Sequence, residues 1–154
     1  MAGASRRTPV ARRRNSVPNA AFVVAAAEAV PHELVGRASL VIVNFPWGSL
    51  LRGVLGCDDD VLAGLASLLQ RGGRIEALVS LTGRDAHAAA IDLARLDDSA
   101  AIGDAWASAG LSLTDARRAT REEIAASRSS WAKRLGAGEE RPTNHLVGRR
   151  VPPG

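Results

Sequence analysis

Tyrosine is absent from this sequence, and only two phenylalanines and three tryptophans supply its aromatic 3%. Three tryptophans are few enough to account for one at a time. A single cysteine, Cys57, excludes an internal disulfide and reads by default as a buried or idle thiol. Lysine is nearly absent too: Lys133 is the exception among 20 basic residues, so the cations are arginines, whose planar fork suits phosphate. No apolar run is long enough to span a bilayer. Residues 1–15 are Arg-rich without an apolar stretch, so they do not read as a secretory signal. With a lone thiol, a reducing cytoplasm is the expectation. The 154 residues, 46% hydrophobic, suffice for one domain with one core.

What is present is arranged by region. Residues 1–17 carry a charge of +5, residues 18–116 carry −6, and residues 117–154 carry +5, within a net +4. Two basic ends flank an acidic middle, a layout suited to a polyanion such as RNA. Residues 1–18 read as a basic arm or linker, and residues 19–150 as part of a single domain.

The chain turns on the stretch Val41-Ile42-Val43-Asn44-Phe45-Pro46-Trp47-Gly48. Residues 40–43 read as a strand buried on both faces. Asn44 then falls at the strand's carboxyl end, where open α/β sheets place ligands. Pro46 is expected to push Phe45 toward an extended conformation, and Gly48 lets the chain turn away. Trp47 is either a loop ring folded over the core or a flat face offered to a ligand. Trp131 lies among hydroxyls and cations, and Trp106, four residues after Ile102 in an Ala-rich stretch, reads as core.

Local patterning predicts a strand at 21–25, a short helix at 31–35, and helices at 49–55, 58–71, 85–93 and 97–109. Further strands are predicted at 74–81, 111–117 and 143–148. The Thr120–Glu123 capping box predicts one helix running to about Leu135, with Trp131 near its end and glycines 136 and 138 as its stop. Early alternation points to a parallel α/β sheet, with the last two strands as an antiparallel edge pair.

Three blocks carry a resemblance: Ala-Ala-Ala-Glu at 25–28, Asn-Phe-Pro-Trp-Gly-Ser at 44–49 and Ser-Ser-Trp-Ala-Lys-Arg-Leu at 129–135. In this order and spacing they resemble the aminoglycoside-resistance methyltransferases that modify adenine N1 in the decoding centre of small-subunit ribosomal RNA. The resemblance runs from about residue 3 to Arg141. It implies a Rossmann-like class I sheet dependent on S-adenosylmethionine, here without its first two strands. It implies that Ala26, Ala27 and Glu28 meet the cofactor's adenine, and that Asn44 and Ser49 lie beside its methionine end. Trp47 and Trp131 would hold a flipped adenine, with Ser129 close to the reaction centre. Arg6, Arg7, Arg12, Arg13, Arg14, Lys133, Arg134 and Arg141 would face the RNA. The implied partner is the small ribosomal subunit, with no membrane and a monomeric protein.

The chemistry agrees with this resemblance. A stacked adenine must leave its stack to be methylated. Its N1 has a lone pair and no proton, so no general base is required. One departure matters. No Gly-rich turn follows a strand before Ala21, and no acidic residue precedes Glu28. The expectation is a chain that begins inside the family's domain, with half the cofactor site missing and weak or no cofactor binding. A non-catalytic RNA-binding remnant is the alternative, and a generic α/β domain with accidental matches is the third reading.

Overall fold

The computed structural model describes residues 19–137 and 141–152. Its elements are β1 (Ala38–Asn44), α1 (Gly48–Val54), α2 (Asp59–Leu68), β2 (Leu69–Ser80), α3 (Gly83–Ala88), α4 (Ser99–Ser108), β3 (Leu111–Arg118), α5 (Arg121–Ala126), α6 (Ser130–Leu135) and β4 (Thr143–Arg150). Short 3-10 turns occupy Ala27–Ala29, His32–Leu34 and Leu93–Asp97. The strands form one sheet in the order β1-β2-β4-β3. β1 and β2 are parallel; β4 runs antiparallel to both β2 and β3. This is the expected α/β architecture, with β3 and β4 as the antiparallel pair at one edge.

Strand alternation assigns the two faces of the sheet. Val43, Ile75, Ala77, Val79 and Leu146 point into the main core, where they meet Leu51, Val54, Leu62, Ile102 and Trp106 from α1, α2 and α4. Trp106 is fully buried, as its apolar helix predicts, and its indole Nε1 donates to the Val54 carbonyl at 2.9 Å. The opposite face carries a small second cluster of Phe45, Leu78 and Ala132, backed by Ala119, Ile124 and Ala137. That cluster seats α5 and α6 against the carboxyl end of the sheet.

Five local expectations fail, each for a reason outside the local pattern. Residues 21–25 form no strand: they have no sheet neighbour, and Phe22, Val23 and Val24 are exposed. β1 is not buried on both faces: Leu40 is 45% and Ile42 58% exposed, because β1 is an edge strand with its second face open at that point. The 58–71 helix ends at Leu68, and Gly72, at φ +70°, sits in a bulge inside β2. Its end is held by Arg150, whose guanidinium donates to the carbonyls of Ala66 and Ser67 at 3.0 and 3.2 Å. α3 stops at Ala88, where Arg52 takes the carbonyls of Ala89 and Ala90 at 2.9 and 3.3 Å.

The fifth is the helix from the Thr120–Glu123 box. The box forms, with Thr120 N donating to Glu123 at 2.8 Å and Glu123 N to Thr120 at 3.2 Å. The helix then breaks after Ala126. Arg128 takes φ +50°, a left-handed conformation that costs a non-glycine residue roughly 1–3 kcal/mol. Ser129 restarts the chain as α6, its hydroxyl accepting from Ala132 N at 3.2 Å. Trp131 therefore lies in the first turn of α6 rather than near the end of a long helix. Gly136 closes α6 at φ +63°, as expected of a C-terminal glycine; Gly138 lies outside the described residues.

Candidate functional site

The turn after β1 is tighter than its sequence suggests. Phe45 is not extended but left-handed, at φ +51°. Its N–H donates to the Leu78 carbonyl at 2.8 Å, and its ring is buried beside Leu78 and Ala132. That contact overrides the preference of a residue before proline. Pro46 is buried beneath the turn and Gly48 has φ +57°, so the chain reverses straight into α1. Trp47 caps that helix and stands 55% exposed. Trp131 stands 44% exposed on α6.

Both tryptophans thus project from segments pinned to one small cluster, through Phe45 on one side and Ala132 on the other. Trp47 borders a small cavity of about 30 Å³ with Leu51, Asp85 and Ala88. Ser129 and Ala132, on either side of Trp131, border a different one of about 380 Å³. The rings share the wall of neither cavity.

Four of the five residues expected around a cofactor come together. Ala26, Ala27, Glu28 and Ser49 line one open cavity of about 410 Å³, walled by Val23, Pro31, Leu34, Leu50, Leu65 and Leu68. Its position follows from α2. Gly64 lies so close to the 27–29 turn that a Cβ there would sit 1.7 Å from the Ala27 carbonyl oxygen. Asn44 is the exception. Its side chain lines a separate cavity of about 250 Å³ on the opposite sheet face, with Ile42, Glu76, Leu78, Glu123, Ser127 and His145.

The basic candidates divide. Arg6, Arg7, Arg12, Arg13 and Arg14 lie outside the described residues. Lys133 and Arg134 are exposed on α6. Arg141 turns inward: its Nη2 donates to Asp85 Oδ2, and both side chains are largely buried. Arg141 Nε and Ser80 Oγ have no hydrogen-bond partner among the described residues. Asp85, the acidic member of a Thr82–Asp85 capping box that opens α3, therefore ties the segment before β4 to the cavity under Trp47.

A polar chain supports α5 from below. Arg117 Nη2 meets Glu123 at 2.7 Å, His145 Nδ1 meets the same carboxylate at 3.0 Å, and His145 Nε2 lies 3.6 Å from Glu76. The Arg117 hydrogen bond, followed by the Thr120 N–H, holds the Glu123 carboxyl well below the usual carboxylate range. No group of three or more metal-ligating side chains occurs among the described residues. None of their helices is long and apolar enough to cross a membrane.

The solved structures that this sheet and its helices are similar to are S-adenosylmethionine-dependent methyltransferases, which sets the class. The chain belongs to one family within it: residues 1–149 match the family model described as "NpmA: 16S rRNA (adenine(1408)-N(1))-methyltransferase". It is similar to the 16S rRNA (adenine(1408)-N(1))-methyltransferase of Streptoalloteichus hindustanus, 31% identical over 137 residues, covering 83% of this chain and 60% of that protein. It is also similar to an rRNA methyltransferase of Saccharopolyspora hirsuta, at 34% identity, covering 81% of this chain and 82% of that one. A variant of the Catenulisporales acidiphilia 16S rRNA (adenine(1408)-N(1))-methyltransferase, solved with cosubstrate SAM, superposes with a TM-score of 0.62 at 29% identity. That match covers 84% of this chain and 60% of the other. The chain thus spans about 60% of the length of the first of these relatives.

Proposed function

We infer that this chain serves methyl transfer from S-adenosylmethionine to N1 of an adenine in the decoding site of small-subunit ribosomal RNA, a modification that would protect ribosomes from aminoglycosides. The observation that carries this reading is the segment from Trp47 to Leu50. Within four residues it offers an exposed indole and contributes Ser49 and Leu50 to the cavity that holds Ala26, Ala27 and Glu28.

The cavity fits the adenosine end of the cofactor. Its walls are mostly apolar, as a purine face requires, and Glu28 offers a carboxylate to an exocyclic amine. When bound, the cofactor supplies a sulfonium methyl, an electrophile that a nitrogen lone pair can take directly. The protein's share is then positioning. Trp47 and Trp131 would replace the stacking lost by a flipped adenine, worth about 1–3 kcal/mol per base. Their faces also tolerate the cationic product ring. Ser129 stands one residue before α6 and two before Trp131, where it can orient the nucleotide. Lys133 and Arg134 would hold phosphates without reading bases.

A second reading has its own support. The methionine end is less well provided: Asn44 faces the other cavity, and no Gly-rich turn among the described residues lines the first. On that ground residues 19–150 act as an RNA-binding part of the domain, with residues 1–18 as a basic arm and little cofactor affinity. We take the protein to be monomeric and to act in the cytoplasm. Incubation with purified small subunits and methyl-labelled S-adenosylmethionine separates the two readings. Label at adenine N1 supports the first. Salt-dependent binding without label, and no calorimetric signal at micromolar cofactor, supports the second.

A further inference from the structure

The arginines of this fold fall into two populations. Most have a structural task. Arg52 and Arg95 hold carbonyls at the end of α1, Arg150 holds those of α2, and Arg117, Arg118 and Arg141 pair with carboxylates. A smaller set has, among the described residues, neither a carboxylate within salt-bridge distance nor a side-chain hydrogen bond to a carbonyl. Three of these, Arg121, Arg128 and Arg134, are gathered with Lys133 on α5, α6 and the break between them, making four cations.

Three of the four line one cavity. The groove between α5 and α6, about 380 Å³, is bordered by Arg121, Arg128 and Lys133, with Ser129 beside them and Ile124 and Ala132 as its floor. The backbone goes out of its way to place one of them, because Arg128 sits at φ +50° in the break itself. A glycine or asparagine would take that conformation at less cost. Ser129 Oγ already accepts from Ala132 N, which leaves its own proton for another acceptor. The groove is therefore bordered by three cationic residues and one hydroxyl donor, around a space large enough for a phosphate. It opens on the helix that carries Trp131.

We propose that the α5–α6 groove is a phosphate clamp, in which Arg121, Arg128, Lys133 and Ser129 take an RNA backbone phosphate beside the nucleotide that Trp131 faces. The proposal rests on the RNA reading given above and adds Arg121 and Arg128 to it. Guanidinium forks suit the planar pairing of two phosphate oxygens. A cation in the groove contributes affinity that is independent of sequence and falls with salt. The expected slope is about −0.9 in log K per log salt for each phosphate neutralised on a duplex, and about −0.7 on a single strand.

The test uses the full chain and purified bacterial small ribosomal subunits, with affinity measured across a salt series. Variants are Arg121→Gln, Arg128→Gln, Arg128→Gly and, as a control at the far end of the sheet, Arg71→Gln. Each groove variant is expected to reduce the salt slope, by up to about 0.7–0.9 where it releases the phosphate, and the control to leave it unchanged. Arg128→Gly relieves the left-handed strain, so it should bind more weakly while unfolding at the same or a higher temperature, a pairing that a merely structural role would not produce. If wild type binds with a salt-dependent slope and the groove variants keep that slope, the clamp is refuted and the RNA reading stands. If wild type shows no salt-dependent binding, the RNA reading fails and the clamp fails with it.

Discussion

Gly64 decides where the 27–29 turn rests, and Gly64→Ala tests whether that turn forms the adenosine wall. A Cβ at position 64 would stand 1.7 Å from the Ala27 carbonyl oxygen and 2.7 Å from its carbon. An ordinary C···O contact is about 3.3 Å or more, so the turn must retreat by roughly 1.6 Å. Two effects compete in stability. Alanine in the interior of α2 gains about 1 kcal/mol of helix propensity over glycine. Overpacking costs about 1–3 kcal/mol where neighbours cannot move. Here the neighbour is a single exposed turn outside the sheet, so it should move and leave α2 in place. The melting temperature should then stay within a few degrees of wild type. The cavity wall formed by Ala26, Ala27 and Glu28 should be displaced by more than an ångström. Amide NMR should show shifts concentrated at residues 26–30, and adenosine or S-adenosylmethionine titrated at millimolar concentration should bind at least tenfold more weakly, about 1.4 kcal/mol. Unmoved amides at 26–30, or unchanged ligand affinity in a variant whose turn has moved, would refute the reasoning.

Three further outcomes are expected. Gly148→Ala should lower stability by at least about 1–3 kcal/mol in urea denaturation, because its Cβ would meet the Trp106 ring at 2.5 Å and the Ser112 carbonyl at 2.9 Å, neither free to retreat. Trp47→Ala and Trp131→Ala should each weaken binding to small subunits by about 1–3 kcal/mol with nearly unchanged urea midpoints, since both rings stand half out of the fold; a shared loss of stability would reassign them to packing. The pH dependence has a definite sign. The folded Glu123 carboxyl titrates below its ordinary value, so its contribution is present above about pH 4.3 and is lost as pH falls below that toward its folded value. Acid melting followed by circular dichroism should therefore show a shallower low-pH decline for Glu123→Gln than for wild type.

Much of this was legible in the chain alone because it depends on neighbours a few residues apart. The Thr120–Glu123 box, the acidic start of α2, the Gly136 stop and the β3 and β4 strands all follow from such spacing. So does the burial of Trp106, which follows Ile102 by four residues on the same face of its helix. The three blocks that mark the family are also contiguous, and the family model matches across them.

What the tertiary structure decided involves partners distant in sequence. α2 ends where Arg150, more than 80 residues away, takes its carbonyls. Phe45 adopts a left-handed backbone because Leu78 and Ala132 bury its ring. Arg141 reads as a surface cation until Asp85, 56 residues earlier, is found beside it. Arg121 and Arg128 look like any other arginines until the break after α5 folds them around one groove. Short-range hydrogen bonding and periodicity are written in adjacent residues. A charge's task, or the end of a helix, depends on which distant atoms complete its hydrogen bonds, and packing of the whole chain settles that.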